Sequence, residues 1–133
     1  MKDLVWDYVL SVGNDEIDDD HRRLIELFNM LNHSVTAGDG QDYLAAVLDE
    51  LINCTAWHFS HEQRLMLKYD YKGYAEHTAE HQDLIKTARE LQQTILKAGT
   101  LVATDDLEFL EHWLTEHILS ADMKLGSYLA EVM

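Results

Sequence analysis

Proline is absent from the 133 residues, cysteine occurs once and glycine six times. With no proline, and with glycine confined mostly to breaks between patterned segments, the chain favours a helical protein over a sandwich or a barrel. The single cysteine, Cys54, rules out an intrachain disulfide scaffold and is acceptable in a reducing compartment. Basic residues are scarce as well: 10 Lys and Arg stand against 25 Asp and Glu, a net charge of −15. A phosphate-binding surface needs clustered Lys and Arg, which counts against nucleic acid and anionic membranes as partners. No apolar run approaches the roughly 18 residues of a membrane span, and Met1 to Asp7 holds none of signal-peptide length. The expectation is one soluble, cytoplasmic domain with a single core and no membrane insertion.

Apolar periodicity supplies the rest of the architecture. Residues 1–17 carry Trp6, Tyr8, Val9 and Val12 without helical spacing and read as an irregular arm wrapping the remainder, 18–133. Asp18, Asp19 and Asp20 look like a helix start, by capping and by negative charge near the N-terminal dipole. A first stripe follows from His21 through Leu24, Ile25, Phe28, Leu31 and Val35, and Gly38-Asp39-Gly40 breaks it. A second runs Leu44, Val47, Leu48, Leu51, Thr55, His58, Glu62, Leu65 and Met66, ending near Lys72-Gly73. The third holds Tyr74, His77, His81, Leu84, Ala88, Leu91 and Ile95 and stops around Gly99. Thr104, Asp105 and Asp106 open the fourth, with Leu107, Leu110, Trp113, Leu114 and His117 inward. Short connections between long amphipathic helices imply an all-α, antiparallel up-down-up-down four-helix bundle.

Seven polar residues fall into one pattern: His21, His58 with Glu62, His77 with His81, and His117 with Asp122. Five imidazoles and two carboxylates on four helical segments make a ligand set that suits two iron ions. Positions i and i+4 are about 40° apart on a helix, so His58/Glu62 and His77/His81 each project from one face. His117 and Asp122 would stand about 140° apart in an uninterrupted α-helix, so the helix must end, bulge or tighten between them. His33 and His112 fall more than about 100° from the nearest ligand and belong to solvent or to supporting roles. His61 sits closer to the ligand face and is the competing candidate. Without a metal, such a core would bury several poorly partnered polar groups at about a few kcal/mol each. Other site types fit less well. No histidine has Glu three residues before it, as ferritin-like di-iron sites require. His61-Glu62 begins the zinc-protease H-E-x-x-H pattern, but position 65 is Leu. No nucleophile-elbow motif supports a Ser-His-Asp hydrolase.

The order of these motifs resembles the hemerythrin family, specifically its single-domain bacterial members, over nearly the whole chain. The matching residues are Trp6 and Gly13, Ile17-Asp18 ahead of His21, His58-Phe59 with Glu62 and Met66, Tyr71 before His77 and His81, and Trp113-Leu114 with His117-Ile118 and Asp122. The resemblance implies a non-haem di-iron centre that binds O2 reversibly. One iron would take His77, His81 and His117, and the other His21 and His58. Glu62, Asp122 and a solvent-derived oxo or hydroxo group would bridge them, leaving one position open on the two-histidine iron. The family-matched Leu24, Phe59, Trp113, Leu114 and Ile118 would form a dry O2 pocket, while also suiting ordinary bundle core. Two residues depart from the usual pattern: Gln63 follows Glu62 where a second acid is common, and Asp20 precedes His21 where Gln is common.

The function expected is therefore oxygen transport, storage or delivery to an oxygen-consuming enzyme, by a monomer and without catalysis. Two other classes stay open: a di-iron redox enzyme acting on peroxide or NO, and an O2 or redox sensor module. The chain reaches Met133 without a signalling domain, which counts against the sensor.

Overall fold

The computed structural model describes residues 3–98 and 104–133. Among the described residues five α-helices run in chain order: α1 (Asp15–Ala37), α2 (Gln41–Lys68), α3 (Tyr74–Ala98), α4 (Thr104–His117) and α5 (Met123–Val132). A π-helical turn, Ile118–Asp122, joins α4 to α5, so those two form one broken fourth column of an all-α four-helix bundle. The expected third-helix stop at Gly99 lies outside the described residues. No helix among the described residues is long and apolar enough to cross a membrane.

Burial follows the apolar stripes. Leu24, Ile25, Phe28 and Leu31 of α1 are buried, as are all nine inward positions named for α2 and all five for α4. Closing this core needs tight reversals. Gly38, at φ 74°, ends α1 by donating its N–H to Ser34 and Val35 carbonyls, a left-handed cap that glycine adopts without steric cost.

Two boundaries differ from the sequence expectation. The first helix begins at Asp15, not at Asp18, because Asn14 is the cap: its side chain accepts the N–H of Ile17 at 3.1 Å. Asp18 has another task. Its carboxylate accepts the Val12 N–H at 2.9 Å and the Ser11 hydroxyl at 2.6 Å, tying the arm to α1. Ile17 accordingly belongs to the helix core rather than to the arm, which itself contains a short 3-10 turn, Tyr8–Leu10. The second helix ends at Lys68, short of Lys72-Gly73. Asp70 turns into the left-handed region (φ 53°), while the Tyr128 hydroxyl from α5 holds the Tyr69 carbonyl at 2.5 Å.

The arm continues along α1, where Asn29 exchanges two hydrogen bonds with the Leu4 backbone, at 2.8 and 2.9 Å. At its other end it presses against α5. A Cβ added at Gly126 would sit 1.9 Å from the Val12 carbonyl oxygen and 2.7 Å from its Cβ. Since that obstacle is backbone pinned by Asp18, it cannot rotate aside. Gly126→Ala should therefore destabilise the fold by about 1–3 kcal/mol, read as a lower urea midpoint. An unchanged midpoint would mean that the arm lifts from α5 freely.

Candidate metal centre

Helix geometry delivers the seven polar residues to one place. On α2, His58 and Glu62 are one turn apart, and on α3 so are His77 and His81; all four are buried. The π turn resolves the awkward spacing in the fourth column. Its wider winding brings positions five apart into line, so His117 and Asp122 both face inward, as the expected bulge required. His21 enters from α1, 1% exposed.

Their ligand atoms form two overlapping groups, each with all atoms within 4.8 Å of one another. One comprises Glu62, His77, His81, His117 and Asp122; the other His21, His58, Glu62 and Asp122. The carboxylates are common to both. Asp122 reaches furthest: one oxygen is 2.8 Å from His21 Nε2, and the other lies 2.9 Å from His117 Nε2 and 3.1 Å from His77 Nε2. Glu62 Oε1 lies 2.9 Å from His81 Nε2 and 3.3 Å from His77 Nε2.

Not all of these contacts are ordinary hydrogen bonds. His81 Nε2, His117 Nε2 and Asp122 Oδ1 are buried at those short separations yet lack a hydrogen-bond partner, and Glu62 Oε2 is also unpartnered. Orphaned buried polar atoms are costly. Imidazole nitrogens and carboxylate oxygens that converge without aligning on one another are the donor set that a pair of cations satisfies, so the residues fit a di-metal group.

Outer partners set the rings. His58 Nδ1 is 2.7 Å from Asp20, and His117 Nδ1 is 2.8 Å from Glu80. A carboxylate only accepts, so each Nδ1 carries a proton, which leaves each Nε2 as the atom that would present its lone pair inward to a metal. The Gln63 amide lies 3.3 Å from His81 Nδ1, so this departure from the family pattern touches the site directly. Phe59 stacks on His81 with ring centroids 3.7 Å apart. His61 stays outside the seven and binds Asp20 at 2.5 Å. His33 pairs with Asp3 at the surface, and His112 is exposed near Glu116.

A cavity of about 10 Å³ adjoins His21, His58, His117 and Asp122, room for about one water-sized guest. Leu24, Phe59, Trp113, Leu114 and Ile118 all line it, together with Thr55 and Leu84. The Thr55 hydroxyl is spent on the Leu51 carbonyl at 2.7 Å, so it offers the cavity no free donor. Trp113 is fixed by its indole N–H on the Leu84 carbonyl at 2.9 Å. In the sequence Thr55 and Leu84 read as stripe residues only, and Glu80 carries no sign of a role at the site. Glu80 precedes His81 but serves a histidine on another helix, so nothing local marks it.

Without metal, the cluster redistributes protons. Burial opposes charge on His58, but Glu62, Asp122 and Asp20 outweigh it and raise its pKa to about 10. His77, opposed by burial in the same way, is raised to about 9 by Asp122 and Glu62. Despite their own burial, Asp122 is held well below the usual carboxylate range and Glu62 is lowered, both by surrounding histidines. His81 goes the other way, lowered chiefly by burial. The raised histidines stabilise the fold fully below their ordinary value of 6.5, and that contribution is lost as pH rises through 9 to 10. The lowered carboxylates contribute above their ordinary values and lose it in acid. Chelator-treated protein should thus lose about 5 °C or more of melting temperature between about pH 7 and 10. Metal takes the place of those protons, so loaded protein should lack the alkaline fall. A flat metal-free profile would show that His58 and His77 are neutral.

The family model described as a hemerythrin HHE cation binding domain matches residues 12–129. A bacteriohemerythrin of Stenotrophomonas maltophilia is 34% identical over 119 residues, covering 90% of this chain and 76% of the relative. A bacteriohemerythrin of Methylococcus capsulatus is 30% identical, covering 85% and 86%. Among solved structures, a wild-type hemerythrin superposes with a TM-score of 0.85 at 28% identity, covering 95% of this chain and 97% of that one. A leucine-to-alanine hemerythrin variant gives 0.86 at 28%, covering 97% and 98%.

Proposed function

The chain belongs to the hemerythrin family, and on that footing we propose that it binds O2 reversibly at a carboxylate-bridged pair of non-haem irons. Its role in this reading is oxygen transport, storage or delivery to an oxygen-consuming enzyme, as a monomer and without turnover. The observation that carries the proposal is the pair of overlapping ligand groups that share Glu62 and Asp122. His77, His81 and His117 would hold one iron and His21 and His58 the other, with Glu62 and Asp122 available to both. Two ferrous ions, when bound, supply the electrons that O2 takes up and returns on release.

The protein's own part is to admit a small neutral guest and exclude water. The cavity lies against His21 and His58 of one group, His117 of the other and the Asp122 they share, which supports direct access of a small guest such as O2 to the centre. Leu24, Leu114 and Ile118 offer that guest no hydrogen bond, and Phe59 and Trp113 close the walls. Proton supply is limited in the same way, because the inward-facing Nε2 atoms of His58 and His117 carry no proton while Asp20 and Glu80 hold their Nδ1–H groups.

The deciding experiment is an optical spectrum of the reduced protein under argon, in air, and again after O2 is removed, with metal analysis of the same sample. The expected result is about two irons per chain and a spectrum that returns to its starting form without added reductant. One zinc per chain with no coupled iron signal would overturn the site assignment. Sustained turnover of peroxide or NO would move the protein into the enzyme class.

A further inference from the structure

The two histidines of the smaller ligand group are not equally well held. His21 Nδ1 is buried without a hydrogen-bond partner, so nothing outside the site fixes its ring by that atom. His58 is different. One oxygen of Asp20, on α1, lies 2.7 Å from His58 Nδ1 and 2.5 Å from His61 Nδ1, both on α2. An oxygen that accepts two N–H bonds from one helix has little freedom to swing, and the Asp20 side chain is only 11% exposed. His61 is turned so that its Nε2 points away from the seven, 3.9 Å from Glu16.

The other group is supported differently. His117 rests on Glu80, whose side chain is 43% exposed, and His81 faces the uncharged Gln63. The nearly buried charge is thus spent on the group with fewer histidines and, within it, on the ring that has an outer partner.

Resting on the two-metal reading, we propose that Asp20 is the positioning residue of the two-histidine metal, with His61 as the second donor that holds the Asp20 carboxylate in place. Asp20 fixes the tautomer and the ring plane of His58 and raises the basicity of its Nε2, without touching metal itself. His61 competes with the ligands in sequence but acts one step outside them. The consequence is selective, since weakening Asp20 loosens one metal of the pair and leaves the three-histidine metal in place.

The test is a Co2+ titration of the full chain after chelation, followed by visible absorption and by metal analysis. Wild type should take up about two equivalents. Asp20→Ala should weaken one of them by about 10–100-fold and spare the other. Asp20→Asn, whose amide oxygen accepts from the same Nδ1 atoms without the charge, should recover part of that loss. His61→Phe should give a smaller loss confined to the same equivalent. A general loss of packing would instead weaken both equivalents together and would overturn the proposal, as would two unchanged equivalents in Asp20→Ala. If Asp20→Ala fails to fold, the Asp20→Asn and His61→Phe titrations decide by the same criterion. A third wild-type equivalent removed by His61→Phe would also overturn it, by making Asp20 a ligand of a separate metal. Wild type that binds no pair would refute the two-metal reading itself, which the variants alone cannot do.

Discussion

Asp122→Ala should abolish binding of the proposed metal pair. Its carboxylate is fully buried and stands within 3.1 Å of Nε2 atoms from His21, His77 and His117, and 4.0 Å from that of His58. Both candidate metals therefore lose an oxygen at once, whereas loss of any one histidine touches a single group. Changing an outer partner of a metal site costs about 10–100-fold in affinity, so loss of a shared ligand should exceed about 100-fold. Reduced protein loaded with Fe2+ under argon should retain fewer than two irons per chain and show no coupled signal on oxidation. The metal-free variant offers a second readout. Without Asp122, His58 and His77 lose one of the charges that raises them, so the melting temperature should fall less between about pH 7 and 10 than in the parent. Asp122→Asn keeps the volume and removes the charge, and it should share both changes. Two irons per chain with the parent spectrum would show that Glu62 suffices as the bridge.

If O2 binds at a di-iron centre as proposed, Leu114→Ala should leave the metals and shorten the life of the oxygenated protein. Leu114 is one turn before His117, 5% exposed, and lines the small cavity beside His21 and His58. Truncation removes buried methyl groups that the neighbouring helices cannot fully replace, at a cost of about 2–5 kcal/mol. The enlarged cavity accommodates O2 more easily, but water and protons enter with it. The oxygenated spectrum should therefore decay several-fold faster to the O2-inactive diferric form at the same pH and temperature, with iron content unchanged. Equal decay rates with iron retained would make Leu114 plain bundle core and place the solvent barrier elsewhere.

These predictions draw on information of two kinds. The pairs His58/Glu62 and His77/His81 were legible from spacing, because one helical turn is a local property and the apolar stripe around each pair states which way it faces. The spacing of His117 and Asp122 even announced a break in the helix, although not that the break would be a π turn rather than a true end. The helix start was less legible. Asp18 and Asn14 are both competent caps, and the choice fell to Asn14 once the arm claimed the Asp18 carboxylate with Ser11 and Val12.

By itself, then, the chain's sequence determined an all-α bundle and the inward facing of His21, His58, Glu62, His77, His81 and His117, since each depends on periodicity along a single helix, whereas Phe59 and Ile118 beside the site were named through the family resemblance. Only the tertiary structure decided that Asp20 of α1 would hold both His58 and His61 of α2, that Glu80 of α3 would steady His117 of α4, and that Gly126 would meet Val12. Those contacts depend on how far one helix is shifted and rotated against the next. Periodicity shows which face of a helix turns inward, while the offset between two helices follows from the packing of the whole core.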